Sequence, residues 1–214
     1  MQINEIFCSL NGESLFGGLR TVFIRTYGCQ LRCSYCDTPY SWEGNEFVDK
    51  SIDEIITEVD KFECTRVTLT GGEPLIQPDA LDLIKALAAR GYTVEIETNG
   101  AVDVGPVKEL MSSNVFITMD WKCASSGELD KMLPSNLREL DCDDVVKCVV
   151  GSKEDLDEML RIKDLTFAQV YVSPVFGKIE LADIANYLLD NKLNDVRFQL
   201  QQHKIIYDPN KRGV

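Results

Sequence analysis

The segment from Arg66 to Thr98 reads RVTLTGGEPLIQPDALDLIKALAARGYTVEIET. It opens with a strand-like run, Arg66–Thr70, which stops on Gly71-Gly72-Glu73-Pro74. A helix follows over Asp79–Arg90, with Asp79 as its cap and Gly91 as its stop. Thr93–Thr98 is a second strand. Strand, helix and strand in this order make one βαβ unit, whose strands lie parallel.

The alternation continues on both sides. Thr21–Thr26 is a strand, followed by a polar, cysteine-rich loop. Ile52, Ile55, Ile56, Val59 and Phe62 fall at helical spacing, and Ser51 with Glu54 reads as a capping box for that helix. Beyond Thr98 the strands are Val115–Met119, Asp144–Val150, Gln169–Ser173 and a last run at Val196–Leu200. The helices between them lie near Gly105–Met111, from Ser152 to Arg161, and over Leu181–Leu189. The fold class is therefore α/β, a partial (β/α) barrel of about six parallel strands, short of the eight that close one. Residues 1–214 read as one domain. Polar stops recur at strand ends: Thr70 before the Gly-Gly-Glu, Thr98-Asn99, Asp120-Trp121-Lys122 and Ser173-Pro174. In parallel α/β folds that rim carries the site.

Composition narrows the function. The chain has 214 residues, with 35 acidic against 22 basic side chains and a net charge of −13. That balance argues against a nucleic-acid surface and against a polybasic membrane contact, both of which need clustered Lys and Arg. No apolar stretch is long enough to span a bilayer, and Asn4 and Glu5 stand where a signal peptide would be basic or apolar. The reading is a cytoplasmic protein. In a reducing compartment its eight cysteines point to metal ligands and core residues rather than to disulfides.

Three of them, Cys29, Cys33 and Cys36, are spaced C-x-x-x-C-x-x-C directly after the first strand. Three thiolates can hold three irons of a cubane cluster and leave the fourth open for chemistry. The alternative is structural zinc, which needs a fourth ligand from a distant cysteine or from His203. Cys8, Cys64, Cys123, Cys142 and Cys148 read as small buried fillers. Tyr27, Tyr35 and Tyr40 flank the loop as a shield.

The cysteine triplet together with Gly71-Gly72-Glu73-Pro74 resembles the radical S-adenosylmethionine (SAM) enzymes. Within them the whole chain is similar to the 7-carboxy-7-deazaguanine synthase family. Leu10-Asn11-Gly12-Glu13, Phe23-Ile24-Arg25 before Gly28-Cys29, Cys36-Asp37-Thr38 and Gln202-His203-Lys204 carry the match. The resemblance implies a 4Fe–4S cluster on Cys29, Cys33 and Cys36, with SAM on its open iron and Mg2+ as a further cofactor. It implies conversion of 6-carboxy-5,6,7,8-tetrahydropterin to 7-carboxy-7-deazaguanine. An adenosyl radical takes the C6 hydrogen, the ring contracts, ammonia leaves and SAM is regenerated.

Residue roles follow from the same resemblance. Arg25 would hold the substrate carboxylate, and Thr38 would ligate Mg2+. Leu10, Asn11, Gly12, Glu13, Thr70 and His203 would contact the pterin. Asn11 stands where the family more often has Gln, and Ser14 where it often has Gly. Tyr35, Asp37, Gly72, Glu73 and Thr98 would face SAM. So would Asp120 and Lys122, in a segment where the family usually has Ser-Pro-Lys, and Ser173, Pro174 and Phe176. A C-terminal tail at 199–214 would reach the substrate, with the carboxylate of Val214 folding back onto it.

A flavodoxin or ferredoxin would supply electrons. Arg20, Arg25 and Arg32 are close in sequence and form a candidate basic patch for it. A homodimer is implied by the resemblance alone. Two rival readings are a glycyl-radical-enzyme activase and a non-enzymatic metal-binding scaffold.

Overall fold

Alternate residues of each central strand are apolar, so one face of a single sheet can bury against helices. The computed structural model describes residues 1–209 and 211–214. In chain order it contains β1 (Gln2–Leu10), β2 (Arg20–Thr26), β3 (Val48–Asp49), α1 (Ile52–Asp60), β4 (Arg66–Gly71) and α2 (Ala80–Ala89). Then follow β5 (Thr93–Thr98), α3 (Gly105–Lys108), β6 (Val115–Trp121), α4 (Asn136–Glu139) and β7 (Val145–Val150). The chain ends with α5 (Lys153–Ile162), β8 (Gln169–Pro174), α6 (Leu181–Asp190), β9 (Val196–Phe198) and α7 (Gln202–Ile206). No helix among the described residues is long and apolar enough to cross a membrane.

The sheet runs β3-β1-β2-β4-β5-β6-β7-β8-β9. The seven strands from β2 through β4 to β9 are mutually parallel. β3 and β9 are its edges, so the barrel is open. The expected strands and longer helices all appear. The sequence reading lacked β1 and β3. β1 pairs antiparallel with β2, from Ile3 opposite Thr26 to Leu10 opposite Arg20. Asn4 and Glu5 interrupt its apolar pattern, and a bulge sits between Ile3 and Glu5.

Helix ends show what local chemistry decides. Ser51 and Glu54 form the expected capping box on α1. Asp79 caps no N–H of α2; its carboxylate lies 3.7 Å from the N-terminal ammonium of Met1. The helix expected to reach Met111 is one turn, Gly105–Lys108.

Val22, Ile24, Val67, Leu69, Val94, Ile96, Ile117, Met119, Val146, Cys148, Val170 and Val172 belong to one buried core with Ile55, Leu83, Leu156 and Ile184 of the helices. Each such side chain contributes about 1.5–3 kcal/mol by leaving water. The intervening strand residues face the other way, into the hollow of the curved sheet. Cys64, Cys123 and Cys148 are buried as expected and Cys8 is half-buried, but Cys142 is exposed, in the turn before β7.

Candidate active site

The site lies at the C-terminal ends of the parallel strands. β2 ends at Thr26 and releases the loop with Cys29, Cys33 and Cys36, all free thiols of intermediate exposure. Cys36 N donates to Cys33 O at 3.1 Å, which turns the loop back on itself. Ser34 fastens it across the barrel mouth, its N to Ser126 O at 2.9 Å and its hydroxyl to Ser125 O at 2.6 Å. Burial pushes Cys33 up to about 11, against the pull of Lys122, and raises Cys29 as well. These groups are therefore thiols until a metal's own charge deprotonates them. Among the described residues the one trio of His, Cys, Asp or Glu ligand atoms within 4.8 Å of one another is the exposed Asp141, Cys142 and Asp143. The three loop sulfurs are spread wider. One zinc, with Zn–S of about 2.3 Å, would draw its sulfurs to about 3.8 Å apart. Three soft donors on a wide loop suit an iron–sulfur cluster instead.

The exit of β4 is pressed against this loop. A Cβ on Gly72 would lie 2.0 Å from Gly28 O and 2.9 Å from Cys29 Cβ, so only glycine fits. Glu73 is fully buried. It accepts from Leu75 N at 2.9 Å, Thr98 Oγ1 at 2.9 Å and Asn99 N at 2.7 Å. It thereby joins the exits of β4 and β5. Burial raises it to about 7 despite those three donors. Its structural role is plain, and Thr98 serves Glu73.

Further round the rim, Lys122 Nζ meets Asp120 Oδ2 at 2.5 Å. Burial works against both charges, but each holds the other ionised: Asp120 is lowered and Lys122 raised. Tyr35 OH donates to Val149 O at 3.3 Å. Ser173 Oγ is buried without a hydrogen-bond partner, an orphan at the end of β8 that a bound polar group would satisfy. Pro174 is buried beside it, while Phe176 is exposed. Gly72 against the loop, the three thiols and the orphaned hydroxyl leave room and donors on this rim for a metal cluster and a polar ligand.

The hollow of the sheet holds polar groups that the sequence reading did not assign. Glu95 is fully buried and accepts from Asn11 Nδ2 at 2.8 Å, Leu15 N at 3.2 Å, Thr68 Oγ1 at 3.3 Å and Thr118 Oγ1 at 2.7 Å. Burial, then the charge of Glu97, raises it to about 7. Glu97 accepts from Thr70 Oγ1 at 2.9 Å and Ser14 Oγ at 3.2 Å, and burial raises it too. Lys147 stands among them, 3.0 Å from Glu13 Oε1 and 3.1 Å from Asp120 Oδ1. Burial works against its charge, but Asp120, Glu13 and Glu97 overcome that and hold it protonated. The signal was present in Thr93-Val94-Glu95-Ile96-Glu97-Thr98: polar residues at every second position mean that one strand face meets no apolar layer.

Arg25 points into this hollow near its mouth. Its Nε bonds Glu5 Oε1 at 2.8 Å, and Tyr40 OH bonds the same oxygen at 3.0 Å. The forked end of the guanidinium has no hydrogen bond among the described residues, so it can take a carboxylate in bidentate fashion. Tyr40 thus serves Glu5 rather than the loop. Tyr27 OH turns to Trp42 O and Gly44 O. Thr38 Oγ1 lies 3.9 Å from Cys36 Sγ, beside the loop.

The loop after β1 and the C-terminal tail close the other side. Gln202 N donates to Gly12 O at 2.8 Å, and a Cβ on Gly12 would lie 2.0 Å from His203 Nδ1. Gln199 clasps the backbone of Ser14 from both sides, at 2.7 Å and 3.0 Å. Ser14 has φ of +67°, in the left-handed region that favours glycine. Gln201 reaches Glu13, and Lys204 pairs with Asp37 at 2.9 Å. Burial keeps the His203 imidazole below its ordinary value, hence neutral. The Asn11 side chain is committed to Glu95. Leu10 is exposed at the end of β1, and Val214 is half-buried.

The expected basic patch does not form. Arg20 lies at the far end of β2 and bonds Phe62 O and Glu63 O. Arg25 faces inward to Glu5. Only Arg32 remains near the loop surface.

An open parallel barrel with three cysteines in the loop after its first parallel strand defines a class, and the profile of the Radical SAM superfamily matches residues 23–133. The chain is 41% identical to the 7-carboxy-7-deazaguanine synthase of Clostridium acetobutylicum, over all of this chain and 99% of that one. It is 42% identical to the enzyme of the same name from Methanospirillum hungatei, over 96% of this chain and 85% of that one. In fold it is similar to the crystal structure of QueE from Escherichia coli, with a TM-score of 0.73, 24% identity and 94% of each chain covered. The chain is thus a radical SAM protein. It belongs to the 7-carboxy-7-deazaguanine synthase family.

Proposed function

We propose that this chain converts 6-carboxy-5,6,7,8-tetrahydropterin to 7-carboxy-7-deazaguanine with loss of ammonia, as one unit over residues 1–214. The observation that carries this reading is the full-length likeness to synthases of that name. The polar hollow supports it, because a heterocycle rich in donors and acceptors needs carboxylate, hydroxyl and amide partners.

Cys29, Cys33 and Cys36 hold the 4Fe–4S cluster. Bound there, cluster and SAM together supply a carbon radical able to take hydrogen from the substrate. Gly72 lets the β4 exit approach SAM, and Glu73 fixes that exit. Tyr35, Asp37, Thr98, Asp120, Lys122, Ser173, Pro174 and Phe176 form the rest of the SAM side. Lys122 already sits beside Asp120, so a SAM carboxylate would share its ammonium. Arg25 holds the substrate carboxylate with the fork that Glu5 leaves open. Glu13, Thr70 and His203 edge the pterin, while Leu10, Asn11 and Gly12 serve it through the loop backbone. Thr38 offers a hydroxyl to Mg2+, completed by substrate and waters. The Val214 carboxylate folds towards the pterin. A flavodoxin or ferredoxin supplies the electron, and the protein works as a cytoplasmic homodimer.

The test is anaerobic incubation of the reconstituted protein with SAM, reductant, Mg2+ and the carboxy-tetrahydropterin. Deazaguanine product is expected. A brown protein that cleaves SAM and leaves the pterin intact contradicts the substrate assignment. A protein that stays colourless after reconstitution supports the scaffold reading.

A further inference from the structure

The three loop thiols differ in what donates to them. Cys29 Sγ accepts from Leu31 N at 3.4 Å and from Asn99 Nδ2 at 3.6 Å. Cys36 Sγ accepts from the indole Nε1 of Trp42 at 3.5 Å. No side-chain N–H reaches Cys33 Sγ among the described residues.

Trp42 is held in this pose from several directions. Its N donates to Pro39 O at 3.1 Å, and its carbonyl accepts from Tyr27 OH at 3.3 Å. The Arg32 guanidinium lies over its ring, 4.1 Å from the centroid. Arg32 is itself anchored to Cys29 O at 2.8 Å and Leu31 O at 2.7 Å. The side chain is only half-buried. The indole nevertheless points at a sulfur. An indole nitrogen is a donor only, and a neutral thiol is a weak acceptor. The contact gains strength when the sulfur is an anionic ligand.

We propose that Trp42, backed by Arg32, raises the reduction potential of the cluster through its N–H bond to Cys36. Adding an electron makes the cluster and its sulfurs more negative. A donor on sulfur stabilises that reduced state more than the oxidised one, and hydrogen bonds to sulfur are among the terms that set such potentials. A net charge of −13 opposes electron addition; Arg32 lies at the loop surface, and Lys122 beside Cys33 is already paired with Asp120. Trp42 acts through Cys36 as a positioning residue. The proposal rests on the cluster reading of the three cysteines.

Trp42→Phe keeps a ring beneath Arg32 and removes the N–H. In the reconstituted full-length protein, iron and sulfide content should match wild type. In an anaerobic redox titration followed by electron paramagnetic resonance, the ratio of reduced to oxidised cluster at a fixed potential should fall about tenfold. For one electron that is a midpoint lower by about 59 mV. A fully loaded variant with the wild-type midpoint overturns the proposal. If the variant fails to load, the wild-type protein still decides. With its tryptophans labelled with 15N at the indole, the reduced cluster should show hyperfine coupling to one indole nitrogen. Trp121, the other tryptophan, bonds Glu158 instead. Absence of that coupling in a loaded wild-type protein overturns the proposal. A wild-type protein that never takes up a cluster overturns the cluster reading itself.

Discussion

The two faces of each parallel strand do different work. Along β5, Val94 and Ile96 enter the core with the helices, while Glu95 and Glu97 enter the hollow. On β4 the pairs are Val67 and Leu69 against Thr68 and Thr70. On β7 they are Val146 and Cys148 against Lys147. A closed eight-stranded barrel fills its interior with branched apolar side chains. This open one carries carboxylates, hydroxyls and an ammonium there, beside the rings of Phe23, Phe116 and Tyr171, which pair in register with Thr68, Glu95 and Lys147. The outer face is bought by simple burial, whereas the inner face holds charge that only a hydrogen-bond network tolerates. Stability and chemistry are therefore written into alternate residues of the same strands, one residue apart.

The largest break in this division is at the loop. Cys33→Ala should reduce iron uptake to background and abolish product formation. The apoprotein should unfold within about 1 kcal/mol of wild type, because Cys33 is only partly buried against the core. Metal analysis beside a denaturant titration checks both halves. Iron retention by the variant would remove Cys33 from the ligand set.

Gly12→Ala tests how the tail completes the inner face. Its Cβ would collide with the His203 ring, so the tail must move. We expect KM for the pterin to rise about tenfold, or about 1.4 kcal/mol of lost binding, with a smaller change in kcat. Limited proteolysis should cut the tail faster. Wild-type KM with faster cleavage would separate the tail from the substrate.

A smaller effect sharpens the comparison through pH. Glu73 and Glu95 are raised from about 4.5 when unfolded to about 7 when folded. The native state then binds more protons than the unfolded one between these values. The stability they contribute is complete below about pH 4.5 and is lost as pH rises through about 7. Glu95→Gln should flatten that fall by roughly 1–3 kcal/mol between pH 5 and 7.5. Urea midpoints at the two pH values measure it. An equal slope in both proteins would mean that Glu95 titrates normally.

Much of the outer face was legible. Apolar runs, the Ser51–Glu54 box and the stop at Gly91 mark β4, α1, α2 and β5 because those signals are local. The cysteine spacing and Gly72 were legible for the same reason. β1 was missed because its bulge, and its place beside the two-residue edge strand β3, mix polar residues into the strand. The hollow was missed because Lys147 lies far in sequence from Glu95 and Glu97, and only the strand order brings it to them. Arg20 and Arg32 show the converse. They are twelve positions apart in the sequence, and a whole strand separates them.

The most direct test of the two-faced strand compares neighbours on β5. Ile96→Ala should cost about 2–5 kcal/mol of stability and leave kcat/KM of the folded enzyme within about twofold. Glu97→Gln should leave stability within about 1 kcal/mol, or raise it by removing a buried charge, and lower kcat/KM at least about tenfold. A Glu97→Gln enzyme with wild-type turnover, or an Ile96→Ala enzyme whose folded fraction is equally impaired, would contradict the account.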